Sequence, residues 1–459
     1  MVSGTVPYAV MALLGIGFIL RRAHGSWLAP GPFLALFWTA GLALPPLVAP
    51  TFYSSDSAVW YVVALVGGFC LGSWVAAGHI PTRPVGVTPH PFHGPLLRGL
   101  AAAGTVTGVL ATVIVQMANG YSVTSIFSAQ ALMNAAAAFS QDRYTGQSST
   151  PLVVPLLMSI TYAAAIVAPL AARGLPRRHA ISCVVGPLAA SFLYALLTTA
   201  RAGMLMVAFF LAASWLAARV HDRGETLRMS PRAVITALGA GLAVATAFIG
   251  IAFVRVGSFS ADMRQVIAEK LVGYAVGYMP VFSQYFTDSA PTFPERWGTA
   301  TFAGISGSSG GQSRGYDDFL PLGPGLSVSN IYSVWRFLID DFGIVGAPIA
   351  AALLGFAATR AWTWLIRRPN GVSLVMLACA YAFTLNSSTQ PPFMFTNVAL
   401  AIGLAAVVLS WPAGAVAVPP GTEAAARTSP RTWPRPKAPT HPRTPDRVRL
   451  ASVGAPPES

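Results

Sequence analysis

The chain has 459 residues, of which 54% are hydrophobic and only 10% charged, with a mean hydropathy of +0.59 and a net charge of +14. A soluble globular chain carries about 25% charge, so this composition excludes an ordinary water-soluble enzyme, a nucleic-acid module and a disordered protein. Cys70, Cys183 and Cys379 all lie inside apolar runs, with no CxxC and no metal-ligand spacing, and read as small buried hydrophobes.

A helix that crosses a bilayer needs about 20 mostly apolar residues. About eleven such runs follow in chain order: 3–20, 31–50, 58–78, 99–118, 151–172, 180–199, 202–218, 233–254, 343–366, 372–389 and 395–411. They predict an all-α, polytopic membrane domain over residues 1–411. The pair 180–199 and 202–218 reads either as one long helix or as two meeting at Thr198-Thr199-Ala200-Arg201.

Basic residues set the expected orientation. Arg21 and Arg22 follow the first run and no Lys or Arg precedes it, which places the N-terminus outside and argues against a cleaved signal peptide. Alternating from there, 21 of the 29 basic residues and all seven histidines fall inside, giving +16 on the inner side and −2 on the outer. The excess charge is thus a topology signal, and no nucleic-acid partner is expected. An outer site would have no imidazole as base or ligand.

Two expected outer connections are long. Residues 119–150 hold Gln130, Asn134, Gln141, Asp142 and Arg143, and residues 255–342 form a large extracytoplasmic loop. Structureless loops of that length usually carry function. Within the second, Tyr274, Tyr278, Phe282 and Tyr285 recur at helical spacing. This stripe reads first as an interfacial helix with rings at headgroup level, and in a sharper reading as a platform for sugar rings. The segment Gly304–Gly315 is Gly/Ser-rich without the spacing of a phosphate-cradling loop. From Pro412 the composition changes, with eleven prolines in the last 48 residues interleaved with Arg, Thr and Ala. That tail, 412–459, is expected to be a disordered cytoplasmic segment whose basic residues graze anionic lipid. Deleting everything after Trp411 should leave activity intact, and complete loss in a cell-based assay would reveal a required cytosolic contact.

Charge at a membrane edge is costly, so each instance marks a candidate site. Of the eight outer basic residues seven are arginine, and Arg201 and Arg255 abut apolar runs where topology disfavours cations. Arginine's planar fork binds phosphate bidentately, and best where partly dehydrated. Arg201, Arg255 and Arg264 are therefore expected to converge on a lipid-borne pyrophosphate, against the alternatives of snorkelling or pairing with an acid. A second constellation runs Ser329-Asn330-Ile331-Tyr332-Ser333-Val334-Trp335-Arg336 and ends in Asp340-Asp341-Phe342-Gly343. On a helix, Tyr332, Arg336 and Asp340 share one face. Arg336 and Asp340 read as a structural pair, or one of the two aspartates reads as a general base.

Three segments resemble the bacterial O-antigen polymerase superfamily, the Wzy-type oligosaccharide repeat-unit polymerases. Leu196 to Gly203 resembles its Ser-Arg-Gly segment, with Ala200 in place of Ser. Arg255 with Tyr274 to Phe286 resembles the start of its large periplasmic loop. Ser329 to Gly346 resembles its Thr-Asn-x-Tyr-Thr…Asp-Phe-Gly-x-x-Gly ending, with Ser329 for Thr. The likeness covers the order of spans over most of 1–411. It implies transfer of a glycan from polyprenyl pyrophosphate to a sugar hydroxyl on a second lipid-linked unit. Arg201, Arg255 and Arg264 would hold the pyrophosphate and Asp341 or Asp340 would take the proton. Tyr332, Asn330 and Arg336 would position sugar or phosphate, and Tyr274 and Tyr278 would bind substrate. Fixed guanidinium groups facing the leaving group call for no metal or other cofactor. The resemblance also implies the inner (plasma) membrane, with a flippase and a chain-length regulator as partners beside the lipid-linked oligosaccharide. An O-antigen ligase, another membrane glycosyltransferase and a transporter stay open as alternatives. The related ligases usually carry a histidine in the large loop, and residues 255–342 contain none. A metal-dependent enzyme should carry paired acids in its first outer loop, where only Asp56 stands. A transporter favours internal repeats, and none stands out.

Overall fold

A computed structural model describes residues 4–77, 92–122, 124, 128–198, 200–224, 231–256, 261–306 and 319–411. The tail 412–459, most of the Gly/Ser-rich segment with Arg314, and the side chain of Arg143 lie outside the described residues. Described in chain order are α1 Val6–His24, α2 Pro30–Val48, α3 Asp56–Ala77, α4 Gly94–Ala118, α5 Ala129–Tyr144, α6 Val153–Ala171, α7 Arg177–Thr198 and α8 Arg201–Arg223. They continue as α9 Pro231–Val256, α10 Ala261–Val276, α11 Tyr278–Asp288, α12 Ala303–Ser306, α13 Val334–Arg367, α14 Gly371–Asn386 and α15 Thr396–Ser410. Two short antiparallel strands, β1 Leu320–Pro321 and β2 Val328–Ser329, pair Leu320 with Ser329.

Every expected apolar run falls on a helix. Among the described residues, eight helices (α1–α4, α6–α8 and α13) are long and apolar enough to cross a membrane, and three further apolar stretches are shorter: Gly239–Arg255, Gly371–Asn386 and Thr396–Ser410. The ambiguous pair is two helices, α7 and α8, because Ala200 leaves the helical region (φ −90°, ψ 77°). The Thr198 hydroxyl closes that break by bonding the Tyr194 carbonyl at 2.7 Å and accepting the Ala200 N–H at 3.4 Å.

Side chains gather in three clusters. One joins α1, α2, α3, α11 and the start of α13 around Trp38, Phe282 and Trp335. A second joins α4, α6, α8, α14 and α15. A small third cluster, Ala195, Met204 and Ile251, joins α7, α8 and α9. The backbones of α3 and α13 approach closely at two glycines. A Cβ added at Gly72 would sit 1.8 Å from the Ala352 carbonyl oxygen, and one at Gly355 would sit 1.9 Å from that of Phe69. Small residues at such a seam let backbones meet, which is how helices adhere where lipid offers no hydrophobic drive. Thr359 donates to Ser73 across it at 2.7 Å.

The ends of the helices sort by charge. Arg173 at the end of α6 pairs with Asp222 at 2.8 Å and donates to the Ala218 carbonyl near the end of α8 at 3.1 Å. His24 at the end of α1 lies against Trp362 near the end of α13, ring centres 5.9 Å apart. At the opposite, arginine-poor end, Gln116 of α4 donates to the Leu197 carbonyl of α7 at 3.0 Å. That end, where α8 and α13 begin, carries the candidate site.

Candidate functional site

Arg201 is the first residue of α8, and its side chain is only 7% exposed. Its guanidinium carbon stands 4.5 Å from the ring centres of both Phe248 on α9 and Tyr274 on α10. Its buried Nη1 has no hydrogen-bond partner among the described residues. Asp222 is engaged by Arg173 and Asp340 by Arg336, and no acid neutralises Arg201 among the described residues. A helix N-terminus already carries partial positive charge and disfavours a cation. A dehydrated guanidinium placed there is therefore poised for an anion, with two aromatic faces offsetting part of its burial.

Arg255 lies seven residues after Phe248 on α9, so it shares that face about 10 Å further along the axis. Its Nε donates to the Ser140 hydroxyl on α5 at 3.0 Å. The long connection 119–150 contains α5, and it is fastened from below. The Tyr121 hydroxyl donates to the Asp142 carboxylate, and Asn119 exchanges two 2.8 Å bonds with the backbone of Ser149. Burial, then the bond to and charge of Asp142, push the Tyr121 hydroxyl up to about 12, so it remains a donor. Arg264 on α10 is exposed. The expected convergence of three arginines is therefore narrower in the structure, with Arg201 caged, Arg255 on the adjoining face and Arg264 facing solvent.

The second constellation forms a separate cage. Arg336, 8% exposed, lies 3.8 Å from the ring centre of Tyr332 and 4.6 Å from that of Tyr285. Its Nε is 3.7 Å from Asp340 Oδ2, and the Tyr285 hydroxyl donates to Asp340 Oδ1. Asn330 is exposed just before this cage.

The expected pairing of Asp340 with Asp341 divides. α13 breaks at Gly343, where φ is +70°, a conformation that favours glycine. The break leaves the Asp340 and Asp341 carbonyls without their helical donors, and the 291–301 segment takes them. Glu295 and Arg296 donate to the Asp340 carbonyl at 3.2 Å and Trp297 to that of Asp341 at 3.0 Å. Ile344 donates back to the Pro291 carbonyl at 3.0 Å. The fully buried Asp341 carboxylate accepts the Ala300 and Thr301 N–H groups, one per oxygen, each at 2.8 Å. A Cβ at Gly343 would sit 2.5 Å from the Thr292 carbonyl. Asp-Phe-Gly is thus the dock for a loop, and Asp341 is a clamp with both oxygens engaged. Asp340 is the carboxylate left facing other side chains.

The aromatic stripe is corrected as well. The helix is interrupted at Gly277, where an added Cβ would lie 2.2 Å from the Gly273 carbonyl. Tyr274 therefore faces Arg201, whereas Tyr278, Phe282 and Tyr285 are buried in the protein. Tyr278 donates to the Gly41 carbonyl at 2.7 Å and meets Trp38 edge-on, and burial raises its hydroxyl above the usual range. It is a structural anchor, neither a headgroup ring nor a sugar platform. Phe248 and Gln116 did not stand out in the sequence. A glutamine inside an apolar run is the signal that marks Gln116.

Among the described residues no group of three His, Cys, Asp or Glu side chains gathers to hold a metal ion. An all-helical bundle with many apolar spans and polar cages at one end defines a polytopic membrane protein. No protein-family model, curated protein or solved structure matches the chain.

Proposed function

We propose that the chain polymerises lipid-linked oligosaccharide repeat units. It would transfer a glycan from polyprenyl pyrophosphate to an acceptor sugar hydroxyl at the outer face of the inner (plasma) membrane. The single observation that carries this reading is Arg201, a buried cation at a helix N-terminus with no acid partner among the described residues. A pyrophosphate leaving group gains charge in the transition state, and a preorganised guanidinium in a dry site stabilises that charge. Arg255 on the same side extends the positive surface toward the second phosphate or the lipid headgroups. Tyr274 holds the guanidinium in place from its other face. Asp340 is the base, held by Tyr285 and oriented by Arg336 against Tyr332. Asn330 at the mouth contacts the acceptor sugar. A flippase would deliver the units and a chain-length regulator would limit the product. No metal or cofactor is needed in this reading.

The two aspartates should separate by experiment. Asp340→Asn is expected to lower turnover by about 10²- to 10⁴-fold while lipid-substrate binding holds. Asp341→Asn should instead destabilise the protein by about 1–3 kcal/mol, because one of the two N–H groups loses its acceptor. Single-turnover kinetics and thermal melting of the detergent-solubilised protein check both. Unchanged turnover in Asp340→Asn would move the base elsewhere.

A further inference from the structure

Arg201 is 7% exposed and its Nη1 is enclosed, so an anion can meet it only if one wall of its cage moves. The two walls are Phe248 on α9 and Tyr274 on α10, each ring centre 4.5 Å from the guanidinium carbon. They are held very differently. Tyr274 stands near the end of α10, where Gly273 and Val276 are buried and the chain passes directly into the buried start of α11. A Cβ added at Gly273 would lie 3.3 Å from the Leu322 side chain. By contrast, among the α9 residues whose exposure is described only Ile251 and Ala252 are buried. A Cβ added at Gly239, Gly241 or Gly250 would meet nothing within 4 Å. The exposed side chains of α9 include Ile235, Leu242 and Ile249, an apolar face suited to acyl chains. Elements with few buried apolar contacts open at the least cost, so Phe248 is the wall that can move. A single tie is visible at the far end of that helix. The Arg255 Nε donates to the Ser140 hydroxyl at 3.0 Å, and Ser140 is buried on α5 beside Ala136 and Phe139.

We propose that α9 is the gate through which a lipid-borne anion reaches Arg201, and that the bond from Arg255 to Ser140 is its latch. This rests on the reading of Arg201 as the pyrophosphate site and deepens it by giving that enclosed site an entrance. A phosphate oxygen is a stronger acceptor for a guanidinium than a hydroxyl is. An arriving pyrophosphate therefore competes with Ser140 for Arg255 and loosens the latch, and Phe248 then swings away with α9. Ser140 acts through Arg255 and is a positioning residue. The rate of entry follows the fraction of molecules with α9 open.

The test is stopped-flow association of farnesyl pyrophosphate, a polyprenyl pyrophosphate short enough to mix from water, with the full chain in nanodiscs. Ser140→Ala should speed association by about tenfold, the weight of one hydrogen bond to a charged group. Phe248→Ala removes the moving wall and should speed association as well. Tyr274→Ala, in the fixed wall, should leave association as it is and speed dissociation. Residues that only held the fold together would give no acceleration. An unaltered or slower association rate in Phe248→Ala, or equal acceleration in Tyr274→Ala, overturns the gate. An unaltered or slower rate in Ser140→Ala overturns the latch. In either case the pyrophosphate reading stands if Arg201→Ala abolishes binding. If Arg201→Ala binds the probe normally, the pyrophosphate reading fails and the gate falls with it.

Discussion

Arg201→Met should abolish long polymer and at the same time raise the melting temperature of the substrate-free protein. The loss follows from removing a donor aimed at developing charge, worth about 10²- to 10³-fold in rate. The gain follows from deleting a cation that is 7% exposed, faces a helix N-terminus and lacks an acid among the described residues. A residue kept for architecture would behave the other way, losing stability on replacement. Sites held for function often show this opposition. Arg201→Lys keeps the charge without the planar fork and should fall between the two. Polyprenyl pyrophosphate should raise the melting temperature of the unaltered protein and leave that of Arg201→Met unmoved. Normal chain length in the variant, or a lower melting temperature, would remove the anion-site role.

The second large effect is structural. Gly72→Val or Gly355→Val should prevent stable assembly, because each forces a side chain into a backbone carbonyl less than 2 Å away. Overpacking ordinarily costs about 1–3 kcal/mol, and a backbone obstacle that cannot rotate aside puts these variants at or above the top of that range. Gly67→Ala is the control, since an added Cβ there meets nothing within 4 Å. Yield and thermal melting in detergent read the difference. Equal melting of Gly72→Val and Gly67→Ala would show that α3 and α13 are looser than described.

Apolar runs were plain in the sequence because a span must satisfy its backbone internally and face lipid, which forces composition and length together. Each run accordingly lies on a helix to within a few residues, except that α13 starts at Val334, nine residues before the predicted run. That first stretch of α13 is mostly buried against Trp38 and its neighbours, including Arg336, Asp340 and Asp341, so charge hid a helix that tertiary packing forms. Arg201 was also legible, because a cation between two apolar runs is costly wherever it sits. The role of Asp341 was not, since its partners Ala300 and Thr301 lie some 40 positions earlier and contribute only backbone N–H groups. Nor was the fate of Tyr278. Helical spacing places Tyr274 and Tyr278 together only if one helix runs through both, and here α10 ends at Val276 and α11 begins at Tyr278.

The two cages are rooted in different clusters. Arg201 leans on Phe248 beside Met204 and Ile251, while Arg336 and Asp340 sit with Tyr285, Tyr332 and Trp335. The distance between the two cages is therefore set by how separately built blocks lean on one another. If the chain polymerises glycans as proposed, a covalent staple between α8, which carries Arg201, and α13, which carries Arg336 and Asp340, would fix that spacing, and a stapled protein should complete one glycan transfer and stall before the next.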